Sequence, residues 1–297
     1  MSLPRGVTEL VPDELYSLAI PYELDGRVSS YPLSFRGWSG MQCYLLFEGD
    51  RALLHNNGYA AHEEQLLEQL EGILGGRKLS LYMPRVEYPS MCNAVAIAER
   101  FSLERVYIGL LKDDAVDLLA YHPKSQGSRV DALRHAESVY VSPGKSFSLA
   151  GDTSREFSTI LPSLRIVPSL WTYHERTKTL FSIDMFNWVL PAGPDGPWVI
   201  DDIDDDPASP EVVEQMMTRA RYWWLASADT GALRETLDTY FGERAIERIA
   251  PDHGCVIEGP EMVAKHIGLL EDLLAAAPSM DSTLVKAGQW PFALQTA

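Results

Sequence analysis

Long apolar runs are missing from this chain. No stretch approaches the roughly 18 consecutive apolar residues that a membrane-crossing helix requires. Glu9, Asp13 and Glu14 stand where a secretory leader would carry basic and then apolar residues. A cytoplasmic protein without membrane attachment is therefore expected. Cationic residues are scarce as well: 25 Lys and Arg face 42 Asp and Glu, for a formal net charge of −17. Nucleic acids and anionic membrane surfaces bind through positive potential, so neither is expected as a partner. Cysteine is confined to Cys43, Cys92 and Cys255, an odd and widely spaced set that suits free thiols in a reducing compartment better than a disulfide framework. The chain also lacks internal repeats, a Gly-rich phosphate loop and a nucleophile elbow.

What remains is an ordinary globular composition, 46% hydrophobic over 297 residues. A chain of this length buries about three quarters of its unfolded surface, and no linker is convincing enough to divide it, so residues 1–297 are read as one domain. Ser39 to Glu48 and Arg51 to Leu54 read as a hairpin ending at Asn56-Asn57-Gly58. His62 to Ile73 places Leu66, Leu67, Leu70 and Ile73 at helical spacing before the Gly75-Gly76 stop. Leu79 to Met83 reads as a strand, followed by a helix from about Cys92 to Phe101. Val106 to Leu111, Ser138 to Val141, Ser146 to Leu149 and Phe157 to Val167 read as strands, with a short helix at Val130 to Arg134. Thr172-Tyr173 and Thr179 to Ser182 flank a polar turn. The acidic run from Asp201 to Asp206 reads as a solvated connection, because like charges repel and stay wet. Helices are expected over Glu211 to Ser227, Thr230 to Phe241 and Pro260 to Ala276, with a strand at Ile246 to Ala250. Hairpins alternating with helices at both ends predict an α+β chain folded as a four-layer αββα sandwich.

The segment Leu79 to Asn93 concentrates the functional question, because Arg85, Glu87 and Ser90 follow a strand where α/β enzymes commonly hold metals or substrates. With Asn57-Gly58-Tyr59, Leu161 to Tyr173, the run Leu180-Phe181-Ser182-Ile183-Asp184-Met185-Phe186 and the terminal Pro251-Asp252-His253-Gly254, it resembles the metallo-β-lactamase fold over a core of about residues 35 to 275. More narrowly, the chain looks like the diiron core of flavodiiron proteins and their stand-alone oxygen-binding relatives, with no flavin domain following it.

The resemblance implies a metal site, but one with most ligands replaced. The family pattern His-x-Glu-x-Asp-His is met by Arg85, Glu87, Pro89 and Ser90. Asp184 matches the bridging Asp and His253 the terminal His. Counting back from Trp171-Thr172-Tyr173 without a gap, Arg165 stands where a further His belongs. Glu87, Asp184 and His253 could then hold one Fe or Zn ion at most, or none. A guanidinium is always charged, cannot ligate a metal and fits a carboxylate with its planar fork. Arg85 and Arg165 are thus expected to replace metal charge beside Glu87 and Asp184. The leading expectation is a degenerate protein that binds a small anionic molecule or a protein partner through Arg85, Glu87, Ser90, Arg165, Asp184 and His253. The alternatives are an oxidoreductase acting on oxygen or a related diatomic, and a metal-dependent hydrolase. The resemblance further implies a homodimer. Cys92 is read as a buried small apolar residue, and His55, His62, His122, His135, His174 and His266 as surface residues.

Overall fold

Alternation along one strand, Gly37–Glu48, sets the layering, because successive side chains leave a strand on opposite faces. Cys43, Leu45 and Phe47 enter a core shared with the helices Glu63–Ile73 and Ala94–Arg100. Tyr44 and Leu46 point the other way, into a core shared with Phe157, Phe181, Ala250 and Val256 of a second sheet. That second sheet alternates in turn: Leu180, Ile249 and Ile257 face a third core, closed by Val213 and Met216, Leu237 and Tyr240, and Leu270 and Leu274. These last three pairs come from the helices Pro210–Met216, Gly231–Gly242 and Pro260–Ala276. Three apolar layers between four structural ones make the αββα sandwich expected from the sequence.

The computed structural model describes residues 3–28, 30–85, 87–109, 133, 135–150 and 156–281. Among these, one sheet runs in chain order through β1 (Val7–Val11), β2 (Leu15–Leu24), β3 (Gly37–Glu48), β4 (Arg51–His55), β5 (Lys78–Met83), β6 (Leu103–Gly109) and β7 (Glu137–Val141). The other contains β8 (Ser146–Phe147), β9 (Phe157–Ile160), β10 (Trp171–His174), β11 (Thr179–Ile183), β12 (Val199–Ile200), β13 (Arg248–Pro251) and β14 (Val256–Glu258), in the spatial order β12-β14-β13-β11-β10-β9-β8. From β4 to β7 the first sheet is parallel, and β11 lies parallel to β13. The C-terminal ends of β4, β5, β11 and β13 therefore open where the two sheets meet. No described helix is long and apolar enough to cross a membrane. Cys43, Cys92 and Cys255 are free and buried.

Several expectations are corrected. The first sheet begins well before residue 35: β2 pairs with β3 from Leu15 opposite Leu46 to Leu24 opposite Gly37. The strand expected over Phe157 to Val167 stops at Ile160. The helix expected over Glu211 to Ser227 ends at Met216 and passes into a π-helical turn, Met217–Arg221, closed by the Tyr222 amide donating to the Met217 carbonyl at 2.7 Å. The extra residue moves the buried register on to Tyr222 and Leu225 and leaves Trp223 and Trp224 exposed. Leu110, Leu111, His122 and most of the short helix expected at Val130 to Arg134 lie outside the described residues.

Two polar expectations fail for one reason, that hydrogen-bond partners make burial tolerable. In the acidic run, Asp201, Asp202, Asp204 and Asp205 are exposed, but the Asp206 side chain is fully buried, 2.7 Å from Lys265 and 3.1 Å from His266. Burial alone would raise its carboxyl; His266 and Lys265 outweigh that and hold it down at about 2. His266 also accepts from Trp188 Nε1 at 2.8 Å, and His174 sits between Thr177 and Glu156. Neither is a surface residue.

His55 is buried too, without such support. Its ring stacks on Phe181 at 4.6 Å and meets Tyr82 edge-on, and neither ring nitrogen has a hydrogen-bond partner. Burial and the nearby Arg85 lower its pKa to about 3, so the ring is neutral. A buried donor without an acceptor costs about 1–3 kcal/mol. His55→Phe keeps the stacking and removes the polar atoms, so the chain should gain about 1 kcal/mol in urea unfolding; a loss of stability would show that His55 makes a polar contact that this packing does not reveal.

Candidate functional site

Four strand ends converge at the mouth of the sandwich, and each delivers polar side chains there. Beyond β4 the chain turns at Asn56, whose φ of 63° suits asparagine, and continues to Asn57. Beyond β5, Arg85 is fixed by a bridge to Ser169 and by the Leu170 amide donating to the Pro84 carbonyl at 3.0 Å. At the end of β11, Ile183 adopts φ of 57°, a costly conformation for a β-branched residue, and its carbonyl accepts from the Asp252 amide at 2.7 Å. That turn sets Asp184 against the end of β13. There Asp252 and His253 precede Gly254, where φ is 81° and an added Cβ would lie 2.4 Å from the Val189 carbonyl oxygen, so only glycine fits.

Arg85 is the centre of the cluster. Its side chain is 1% exposed, yet it is fully charged and ringed by acids: Nη1 lies 2.6 Å from Asp184 Oδ2 and 3.1 Å from Glu87 Oε2, and Nη2 lies 2.9 Å from Asp252 Oδ2. Its Nε donates to Ser90 Oγ at 3.3 Å. Ser90 in turn donates to Asn56 Oδ1 at 2.5 Å, and Asn56 donates to Asp252 Oδ1. The Nη2 contact with Asp252 is one of charge, since neither atom makes a hydrogen bond. A second guanidinium, Arg221, pairs through Nη1 with Asp184 Oδ1 and donates through Nε to the Ser30 carbonyl at 3.2 Å. Both oxygens of Asp184 therefore face guanidinium groups. His253 Nε2 lies 3.8 Å from the same Asp184 Oδ1, while its Nδ1 is 3.1 Å from the Tyr22 hydroxyl.

These contacts set the charges. Burial opposes ionisation of Asp184, but Arg85 and Arg221 overcome it and hold the carboxyl far below the usual range. Asp252 goes the other way: burial, with Asp184 nearby, outweighs Arg85 and pushes it up to about 7. For Arg85, burial disfavours the cation, and Asp184, Asp252 and Glu87 more than restore it. Burial and Arg221 take His253 down to about 3, so its imidazole is neutral.

Above this floor lies a cavity of about 580 Å³. Arg85, Glu87, Asp184, Arg221 and His253 line it with Tyr59, Pro89, Val28, Ile166, Val167 and Trp223, and the exposed Arg27 lines it as well. Of the residues singled out from the sequence, the fold brings together Arg85, Glu87, Ser90, Asp184 and His253. Arg165 is placed differently: it donates to the Pro162 carbonyl at 2.5 Å, and its neighbours Ile166 and Val167, not Arg165, line the cavity. The second guanidinium comes from Arg221, in the π-helical turn. Sequence reasoning also missed Asn56 and Asp252, although both lie inside motifs it had singled out. Among the described residues, no group of three or more His, Cys, Asp or Glu side chains is arranged to hold a metal ion.

No family model matches the sequence, and no curated protein matches it either. Solved structures do. The chain is similar to rubredoxin oxygen:oxidoreductase from Desulfovibrio gigas (TM-score 0.63, 16% identity), covering 91% of this chain and 61% of that one. It is similar to the flavodiiron protein from Giardia intestinalis (TM-score 0.62, 16% identity), with 94% and 60% covered. A fragment of a putative diflavin flavoprotein A 5 from Nostoc matches over 92% of this chain and 98% of its own length (TM-score 0.62, 17% identity). The chain thus spans less than two thirds of the first and second of these proteins and nearly all of the third. The fold is the metallo-β-lactamase fold as it occurs in flavodiiron cores.

Removing the Arg85 charge strands acids inside the protein. Breaking one side of a buried ion pair costs about 3–5 kcal/mol, and Arg85→Met should lose that much at pH 8. Asp184, held low by Arg85 and Arg221, stabilises the parent above the ordinary carboxylate range and ceases to do so only as pH falls through its depressed value. In Arg85→Met the carboxyls rise and take up protons earlier, so the deficit against the parent should shrink from pH 8 to pH 5. A deficit independent of pH in urea titrations would contradict this assignment of charges.

Proposed function

We propose that this chain is a metal-free version of the fold, in which guanidinium groups hold the acids that metal cations would otherwise hold, and that its cavity binds a small anion. One observation carries the reading: a fully buried arginine whose nitrogens lie 2.6, 2.9 and 3.1 Å from three carboxylates at the converging strand ends. Buried carboxylates demand a compensating charge, and arginine supplies it in a form that cannot ligate metal. The donor set does not fit a pair of metal ions. Even a single ion on Glu87, Asp184 and His253, the arrangement an oxidoreductase would use, requires at least one oxygen of Asp184 to leave its guanidinium partner.

Anion recognition falls to the cations that reach the cavity. Arg85 is sealed from solvent and already faces three acids, so it shapes the floor without offering itself to a ligand. Arg221 and Arg27 remain. Three arginines and two acids, Glu87 and Asp184, line this cavity, while Asp252 lies against Arg85 and Asp25 against Arg27; an anion is therefore met by unengaged guanidinium donors at close range rather than by a net positive field.

The reading is tested by metal content and metal response together. Protein purified under reducing conditions and incubated with Fe(II) or Zn(II), then desalted, should carry far less than one ion per chain, and its thermal midpoint should be the same in chelator and in metal. One tightly held ion per chain with a raised midpoint would overturn the proposal.

A further inference from the structure

The shape and chemistry of the cavity point to more than a bare anion: we infer that it takes a small carboxylate carried on a flat apolar body. This inference rests on the metal-free reading above and specifies its ligand. The cavity, at about 580 Å³, is within the range of small-molecule sites and far larger than an inorganic ion needs. Its lining combines two chemistries. Guanidinium groups of Arg85, Arg221 and Arg27 line it together with the apolar side chains of Val28, Ile166, Val167 and Trp223. Ile166 is 51% exposed and Trp223 49%, unusual for such large apolar side chains beside a charged floor. Phosphate would leave these apolar side chains wet, and a wholly apolar ligand would strip water from the arginines without replacing it.

The charged end selects a monoanion. Arg221 donates through Nε to the Ser30 carbonyl and meets Asp184 through Nη1 as a contact of charge without a hydrogen bond, and Nη2 donates no hydrogen bond among the described residues. Arg27 pairs with Asp25 two residues away. A remaining edge of one fork matches a planar, singly charged carboxylate; a phosphate dianion calls for more donors. An ammonium group would find Glu87 and Asp184 already engaged by Arg85, and Asp25 by Arg27.

One local device builds both ends. The π-helical turn Met217–Arg221 interrupts the helix, and that interruption turns Arg221 inward to Asp184 and lifts Trp223 out over the mouth. Such turns cost hydrogen-bond geometry and recur at functional sites. Here the cation and the apolar wall are two residues apart on the same break.

The test uses the full chain in chelator, titrated calorimetrically with 2-naphthoate, 2-naphthalenemethanol, acetate and inorganic phosphate. Naphthoate should bind at least about tenfold more tightly than each of the other three. Trp223→Ala should abolish that advantage over acetate without changing the thermal midpoint, and Arg27→Ala should weaken naphthoate several-fold. If phosphate or acetate binds as tightly as naphthoate and Trp223→Ala changes nothing, the ligand class is wrong while anion binding stands. If the neutral alcohol binds as tightly, the carboxylate is not being recognised. If none of the four binds at millimolar concentration, the inference fails, and metal content decides separately whether the metal-free reading survives.

Discussion

A charge taken out of water must be met by an opposite charge at contact distance, and Arg85 shows that demand in its strongest form. Its guanidinium is sealed from solvent and answered by Asp184, Asp252 and Glu87, which arrive from separate places in the chain. Asp184 needs the strained turn at Ile183, Asp252 needs the glycine that follows His253, and Arg85 needs the backbone clamp of Pro84 to Leu170. Each device only makes sense because the others are present. A buried pair is weak evidence for net stability but strong evidence for interdependence, since losing one partner leaves the other uncompensated.

The same network closes the floor of the cavity and ties it to the wall. Arg85, Ser90, Asn56 and Asp252 form a closed chain of contacts under the surface. Arg221 links that floor to the wall, because Asp184 holds its guanidinium while the backbone just beyond it carries Trp223. Solved structures of the same fold, among them an oxygen:oxidoreductase and flavodiiron proteins, share the framework at 16% and 17% identity. Fold likeness at that distance fixes where a site belongs, and the side chains decide what it does.

Much of the framework was legible in the sequence for physical reasons. Strands with two-residue alternation, such as β3, and helices with clean apolar stripes, such as Glu63–Ile73, announce themselves because one face of each must be buried. Asp184 and His253 were legible because each sits in a short motif tied to a strand end. Arg165 went astray because residues 161–170 form an irregular connection, where counting positions back from Trp171 has no structural register to follow. Arg221 was hidden by a helical pattern, since nothing local says that one extra residue will enter the turn. His55, His174 and His266 looked like surface residues because histidine is polar; their burial depends on Phe181, Glu156 and Asp206, all distant in sequence. The first strands were overlooked because Pro21, which cannot donate to a ladder, interrupts Leu15–Leu24, and the strand declares itself only in its pairing with β3.

The central claim is that a guanidinium occupies the place of a cation between these acids. Anomalous scattering from crystals soaked in Fe(II) or Zn(II) measures this directly, because it locates any bound ion and the Arg85 side chain in one experiment. The account predicts no anomalous peak beside Asp184, with Arg85 still bridging Asp184 and Asp252; a peak at Asp184 and His253, with Arg85 or Arg221 swung aside, would contradict it.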